Sequence, residues 1–177
     1  MHIPIGEKVE KMFSGISNKY DFLNHVLSFG IDYYWRDRLA KKVKILNPNS
    51  LMDLATGSGD VAFKLSDTLN KECEITATDF CQPMLDQAKF KQIKSKKYSN
   101  ISFEHGDAMN LDFEDNTFDI VTVAFGVRNF ENRNKGLREI LRILKPQGSL
   151  FVLEFSQPDT WFRPVSYTHL TLPTTYT

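Results

Sequence analysis

Ten residues, Leu51 to Asp60 (LMDLATGSGD), constrain this chain more than any other stretch. An apolar run from Ser50 to Leu54 ends in a Gly-rich turn, and a helical pattern follows through Val61, Ala62, Leu65 and Leu69. Strand, tight glycine loop and helix together form the floor of a nucleotide pocket in an open α/β sheet. Gly57 and Gly59 allow a sharp turn and let a ligand approach the backbone without Cβ interference. Asp60 is expected to cap the new helix, whose first N–H groups have no intrahelical partner. Alone, the Gly57, Gly59, Ala62 spacing is a weak signal that ordinary turns also produce. Its weight comes from the rest of the chain.

Past Ser50 the pattern alternates. Cys73 to Asp79 is β-rich and ends in an acid, and Pro83 opens a helix expected to run to about Lys97. Asn100 to Asp107 reads as a third strand, again ending in an acid, and Phe118 to Phe125 as a buried fourth. Leu137, Ile140, Leu141 and Leu144 form a helical stripe, and Ser149 to Ser156 is a fifth strand. Repeated β-α units predict a central, mostly parallel sheet with helices on both faces. Before Ser50, apolar groups from Val9 to Leu27 and then Trp35, Leu39, Val43 and Leu46 predict an N-terminal helical cap over residues 1–49. The aromatic-rich stretch from Tyr20 to Trp35 is either core of that cap or a lid over an apolar substrate.

Bulk properties exclude several classes. With 22 basic and 22 acidic residues, no global field favours nucleic acid. Cys73 and Cys81, without a secretory signal, fit a reducing cytosol. Those cysteines and the four scattered histidines have no metal-site spacing. The longest apolar run, Ile120 to Val127, is far too short to span a bilayer. A soluble protein is expected, one that can still touch a membrane.

In such sheets ligands bind beyond the carboxyl ends of the strands. Asp79, about twenty residues past the glycine loop, stands where an acid binds ribose hydroxyls; its rival role is as an acid at a helix N-terminus. Asp107 is placed to accept from an adenine amino group, with the Ala108 N–H as a second contact, or else to shape a turn. Asp53 and Asp60 bracket the loop and would repel a pyrophosphate, whereas an acid there can take the ammonium of S-adenosylmethionine. That pattern favours a methyltransferase over a nicotinamide-dependent reductase built on the same loop.

The residues from Asp53 to Gly59, with Asp79 and Gly106 to Ala108, resemble the class I S-adenosylmethionine-dependent methyltransferases with their Rossmann-like fold. Tyr20 to Trp35, Phe125 to Asn129 and Arg142 to Ser156 resemble, more narrowly, the ubiquinone/menaquinone biosynthesis C-methyltransferase family. That family usually has Met where Leu23 stands, His at Asp32 and Gly at Gln147, and often a cofactor-contacting Ser at Ala124. The resemblance implies cofactor contacts at Ser58, Asp79, Asp107 and Ala108, beside Gly57 and Gly59 of the loop. It also implies C-methylation of a demethylated quinol with an isoprenoid tail, demethylmenaquinol or a ubiquinone-pathway benzoquinol. Another small apolar acceptor, or a non-catalytic S-adenosylmethionine-binding module, remains the alternative. Arg128 is the candidate for stabilising the developing phenolate, or a salt-bridge partner of Asp21 or Glu131, and Asn129 orients the ring hydroxyl or closes its loop. The partner is then a lipid-tailed quinol, with a cytoplasmic location and peripheral contact at the inner membrane face left open. The oligomeric state is not legible. Residues 50–160 are expected to form the cofactor-binding core, incomplete at its C-terminus. Residues 164–177, uncharged and rich in Thr, are expected to be a non-native tail.

Overall fold

The computed structural model describes residues 31–154. Residues before Ile31, Asp21 and most of the expected cap or lid among them, and the expected tail lie outside the described residues. Helix α1 (Ile31–Ile45) precedes β1 (Ser50–Leu54), α2 (Asp60–Thr68), β2 (Glu74–Asp79), α3 (Gln82–Ser95), β3 (Ile101–His105), β4 (Phe118–Ala124), α4 (Arg133–Ile143) and β5 (Leu144–Leu153). A single 3-10 turn, Val127–Asn129, follows β4.

The five strands run in the order β3-β2-β1-β4-β5, all neighbours parallel. The order reverses at β1 and β4, the topological switch point where this class of sheet opens a crevice. Register explains the two-sided core. Ile101, Ile75, Leu51 and Ile120 are consecutive partners across the sheet and face α1, α2 and α3. Met52 pairs with Val121 one residue on, and both point the other way, onto Ile140 and Ile143 of α4. Because every second side chain changes face, both faces need apolar residues, and the strands read as near-continuous apolar runs. The α/β reading with helices on both faces is what the structure has.

Three details differ from expectation. Leu46, placed on the α1 stripe, is exposed, while Trp35, Leu39 and Val43 are buried. The α4 stripe is turned: Gly136, Ile140 and Ile143 are buried, whereas Leu137 and Leu141 are half-buried. Leu144 leaves the helix as its C-cap and already pairs with Phe118, so β5 begins five residues before Ser149 and carries a register shift. Helical periodicity could not reveal this, because Leu144 is apolar in either role.

Candidate active site

The cavity opens at the carboxyl ends of β1, β2, β3 and β4. Gly57 and Gly59 have φ of 57° and 85°, the left-handed region that suits glycine. Ala55 and Phe125, just past the ends of adjacent strands β1 and β4, also have φ of 57°. Non-glycine residues in that region carry strain, which gathers where a backbone must serve a ligand. Both line the cavity, as do Met84, Gly106, Ala124, Asn129 and Phe130.

Asp79 lies on the floor. Its carboxylate accepts from the Gly57 N–H at 2.8 Å and the Cys81 N–H at 2.9 Å, tying the glycine loop to the start of α3. The contact to Cys81, the N-cap of α3, is the helix N-terminus role, and the same side chain also lines the cavity. Burial pushes the Asp79 carboxyl above its usual range; the bonds from Cys81, Gly57 and Phe80 and the charge of His105 oppose this without reversing it. Asp107 accepts from the Met109 N–H at 2.9 Å and lines the cavity with Ala108. Of the expected cofactor residues, Gly57, Asp79, Asp107 and Ala108 thus meet around one space. Ser58 and Gly59 sit behind it, Ser58 buried and Gly59 as the N-cap of α2.

Two expectations about the loop acids are corrected. Asp60 makes no side-chain cap: Gly59 in its left-handed conformation starts the helix, and the Asp60 carboxylate turns to Arg36 at 2.9 Å and Lys91 at 2.8 Å. Asp53 is buried beneath the loop, accepting from Thr56 at 2.6 Å and Thr122 at 2.7 Å. Burial pushes its carboxyl up to about 6, against the two hydroxyl bonds. Neither acid lines the cavity, so the bracket argument against a pyrophosphate fails as stated. A different observation replaces it. Among the described lining residues Asp79, Asp107 and Glu131 are acids, and there is no Lys, Arg or His. Such a wall suits a cationic ligand without phosphate and opposes a pyrophosphate.

Arg128 lies in the 3-10 turn beside the rim, its guanidinium 3.5 Å from Glu154 and over the Phe125 ring at 5.9 Å. Among the described residues its ion pair is with Glu154 rather than Glu131, and Asp21 lies outside them. Phe80 and Cys81, which follow the Asp79 strand end, also line the cavity, as do Met84 and Phe130, which sequence reasoning missed. Trp35 of α1 packs on Phe125 with ring centroids 6.0 Å apart, which joins the helical cap to the cavity wall.

The model of the ubiE/COQ5 methyltransferase family matches residues 4–173. The chain belongs to that family. It is 41% identical over 165 residues to the ubiquinone/menaquinone biosynthesis C-methyltransferase UbiE of Geotalea daltonii, covering 93% of this chain and 68% of that protein. It is 44% identical over 153 residues to the demethylmenaquinone methyltransferase of Bacteroides fragilis, covering 86% of this chain and 62% of that protein. The chain therefore spans about two thirds of the length of these relatives. Among solved structures it is similar in fold to the cyclase SpnF, with a TM-score of 0.74 at 22% identity, covering 91% of this chain and 66% of that one. Family and lining agree on S-adenosylmethionine as the cofactor that this cavity fits.

Proposed function

We propose that this protein transfers the methyl group of S-adenosylmethionine to a ring carbon of a demethylated isoprenoid quinol. Membership of the ubiE/COQ5 methyltransferase family across residues 4–173 carries the reading, and the lining, acidic and without a cation among the described residues, supports the donor. S-adenosylmethionine supplies an electrophilic methyl on a sulfonium. The ring carbon beside an ionised hydroxyl forms the new C–C bond as the S–CH3 bond breaks, its electron pair staying on sulfur. The displaced ring proton then leaves to solvent. Opposite charges cancel in that step, so a cavity walled in part by Leu54, Met84 and Phe130 does not oppose it.

In this reading Asp79 holds the ribose hydroxyls, Asp107 and the Ala108 N–H hold the adenine, and Gly57 gives the chain of the donor room. Ser58 and Gly59 act by shaping the loop. Arg128 and Asn129, at the rim, hold the phenolate of the acceptor, and orientation supplies much of the rate. A lipid-tailed acceptor brings the protein into peripheral contact with the membrane that holds it; among the described residues no helix is long and apolar enough to cross one.

The test is calorimetry with S-adenosylmethionine and with a nicotinamide dinucleotide, followed by turnover assays with a demethylated naphthoquinol and a benzoquinol at equal lipid load. Binding of the first ligand alone and methylation of a quinol are expected. Nicotinamide binding, or donor binding without methylation of either quinol, would overturn the reading.

A further inference from the structure

Between β3 and β4 the chain runs from Gly106 to Thr117 without a helix or strand, yet its first residues line the cavity. A loop of this length without regular structure needs something else to hold it. The holding group comes from α4, on the opposite face of the sheet from α2 and α3.

Arg142 of α4 donates from Nη2 to the Leu111 carbonyl at 2.9 Å and from Nη1 to the Phe113 carbonyl at 2.7 Å. Nη1 also reaches Asp115 at 2.9 Å. Glu139, one turn earlier, accepts the Leu111 N–H at 3.0 Å, and Arg142 clasps it through Nε at 3.0 Å and Nη2 at 2.8 Å. Both backbone groups of buried Leu111 are thus satisfied by one ion pair, as a neighbouring strand would satisfy them. The hydrogen bond from Arg142 holds the Glu139 carboxyl below its usual range, and Glu139 in turn raises the guanidinium. The clasp is therefore charged throughout the working pH range.

A second contact of α4 acts on the same wall. A Cβ placed on Gly136 would lie 2.6 Å from the Phe130 ring and 3.6 Å from the Ala108 carbonyl oxygen. The glycine lets the helix come close behind two residues that line the cavity.

We propose that Glu139 and Arg142 are positioning residues for the cofactor: a charged clasp on α4 that sets Asp107, Ala108 and Met109 as the adenine wall. The assignment rests on the cavity being the S-adenosylmethionine site. Neither residue lines the cavity, so the clasp acts through the loop. A planar fork that reaches two carbonyls and two carboxylates at once is a geometry lysine cannot copy.

The experiment uses the whole chain with Arg142→Lys and Glu139→Gln, and S-adenosylhomocysteine as the probe. Arg142→Lys is expected to weaken probe binding by about tenfold, the loss of a charge-assisted contact set. The KM for the donor should rise in step, with kcat at saturating donor changed by less than about twofold. Glu139→Gln keeps an oxygen for the Leu111 N–H and is expected to lose about threefold. Hydrogen exchange of residues 107–113 should quicken in both variants before any ligand is added. A lower melting temperature with unchanged probe affinity in a folded variant would overturn the proposal by reducing the clasp to a stabiliser. If Arg142→Lys does not fold, Glu139→Gln decides by the same criteria. Failure of the parent chain to bind the probe would sink the donor reading instead, and exchange in the loop still judges the clasp: unchanged rates refute it.

Discussion

Each end of the sheet carries an aspartate that gathers backbone N–H groups, and the two are in opposite electrostatic states. At the amino ends of the strands Asp119 accepts from the Asn49 and Ser50 N–H groups, both at 2.9 Å, and from Lys145 at 2.8 Å. Burial pulls its carboxyl upward, but the Lys145 bond and the backbone bonds outweigh that and hold it low. At the carboxyl ends Asp79 accepts from Gly57 and Cys81 and stays pushed up, because burial dominates and no cation among the described residues bonds it. The first is a finished knot that joins the Asn49–Ser50 start of β1 to β4 and β5. The second still has acceptor capacity facing a cavity. Position in the fold, not residue type, makes one a structural knot and leaves the other facing a cavity.

The largest effect expected from breaking this contrast lies at the rim of the open end. Arg128→Lys keeps the charge but loses the planar fork, and turnover should fall by about 100-fold with donor affinity little changed. Equal losses in rate and affinity would move Arg128 into the structural role that its Glu154 pairing also allows.

The two aspartates come next, as a pair. Asp79→Ala should weaken donor binding by at least about tenfold, since a hydrogen bond to a charged group is worth about 1.5–3 kcal/mol. Asp119→Ala should instead cost about 2–3 kcal/mol of stability, read by urea unfolding, and leave donor affinity within about twofold. If calorimetry and unfolding show the reverse assignment, the contrast drawn above is wrong.

Asp53 beneath the glycine loop sharpens the comparison through pH. Folded, it keeps its proton up to about 6, whereas unfolded it releases it near 3.8. Between those values the folded state binds more protons, so this contribution to stability is fullest at low pH and is lost as pH rises through 6. Asp53→Asn removes that decline, and the wild-type loss between pH 4 and 7.5, relative to the variant, should be about 1–3 kcal/mol. Parallel curves in the two proteins would show that Asp53 titrates normally.

The smallest effect belongs to the closed end. Gln147 adopts φ of 67°, which explains why the family usually has glycine there. Gln147→Gly should stabilise by about 1 kcal/mol without touching the donor affinity. A destabilised variant in thermal unfolding would mean that the side chain makes up for its strain. Relief of strain at this end should be free of functional cost, unlike at Ala55 and Phe125.

Much of the architecture was legible because its determinants are local. The apolar run into Gly57, the acid closing β2, and Pro83 at the start of α3 each name their own element and lie where expected, while β3 ends at His105, two residues before Asp107. The candidates Gly57, Asp79, Asp107 and Ala108 were legible for the same reason: parallel strands bring their carboxyl ends together whatever the intervening helices contain. Ion-pair partners were not. Asp60 pairs with Lys91, 31 residues away, and Arg128 with Glu154, and no spacing rule links such residues. The local sequence could propose Asp60 as a cap, but Arg36 and Lys91 converge on it only once α1 and α3 pack beside α2. Burial likewise depends on the assembled sheet, so the opposite states of Asp79 and Asp119, and the raised Asp53, arise only in the fold. Sequence by itself determined the order of the elements and the residues offered at their ends. The tertiary structure decided which of those acids are matched by a cation and which face the cavity, because solvation and Coulomb energy depend on distances that only packing sets.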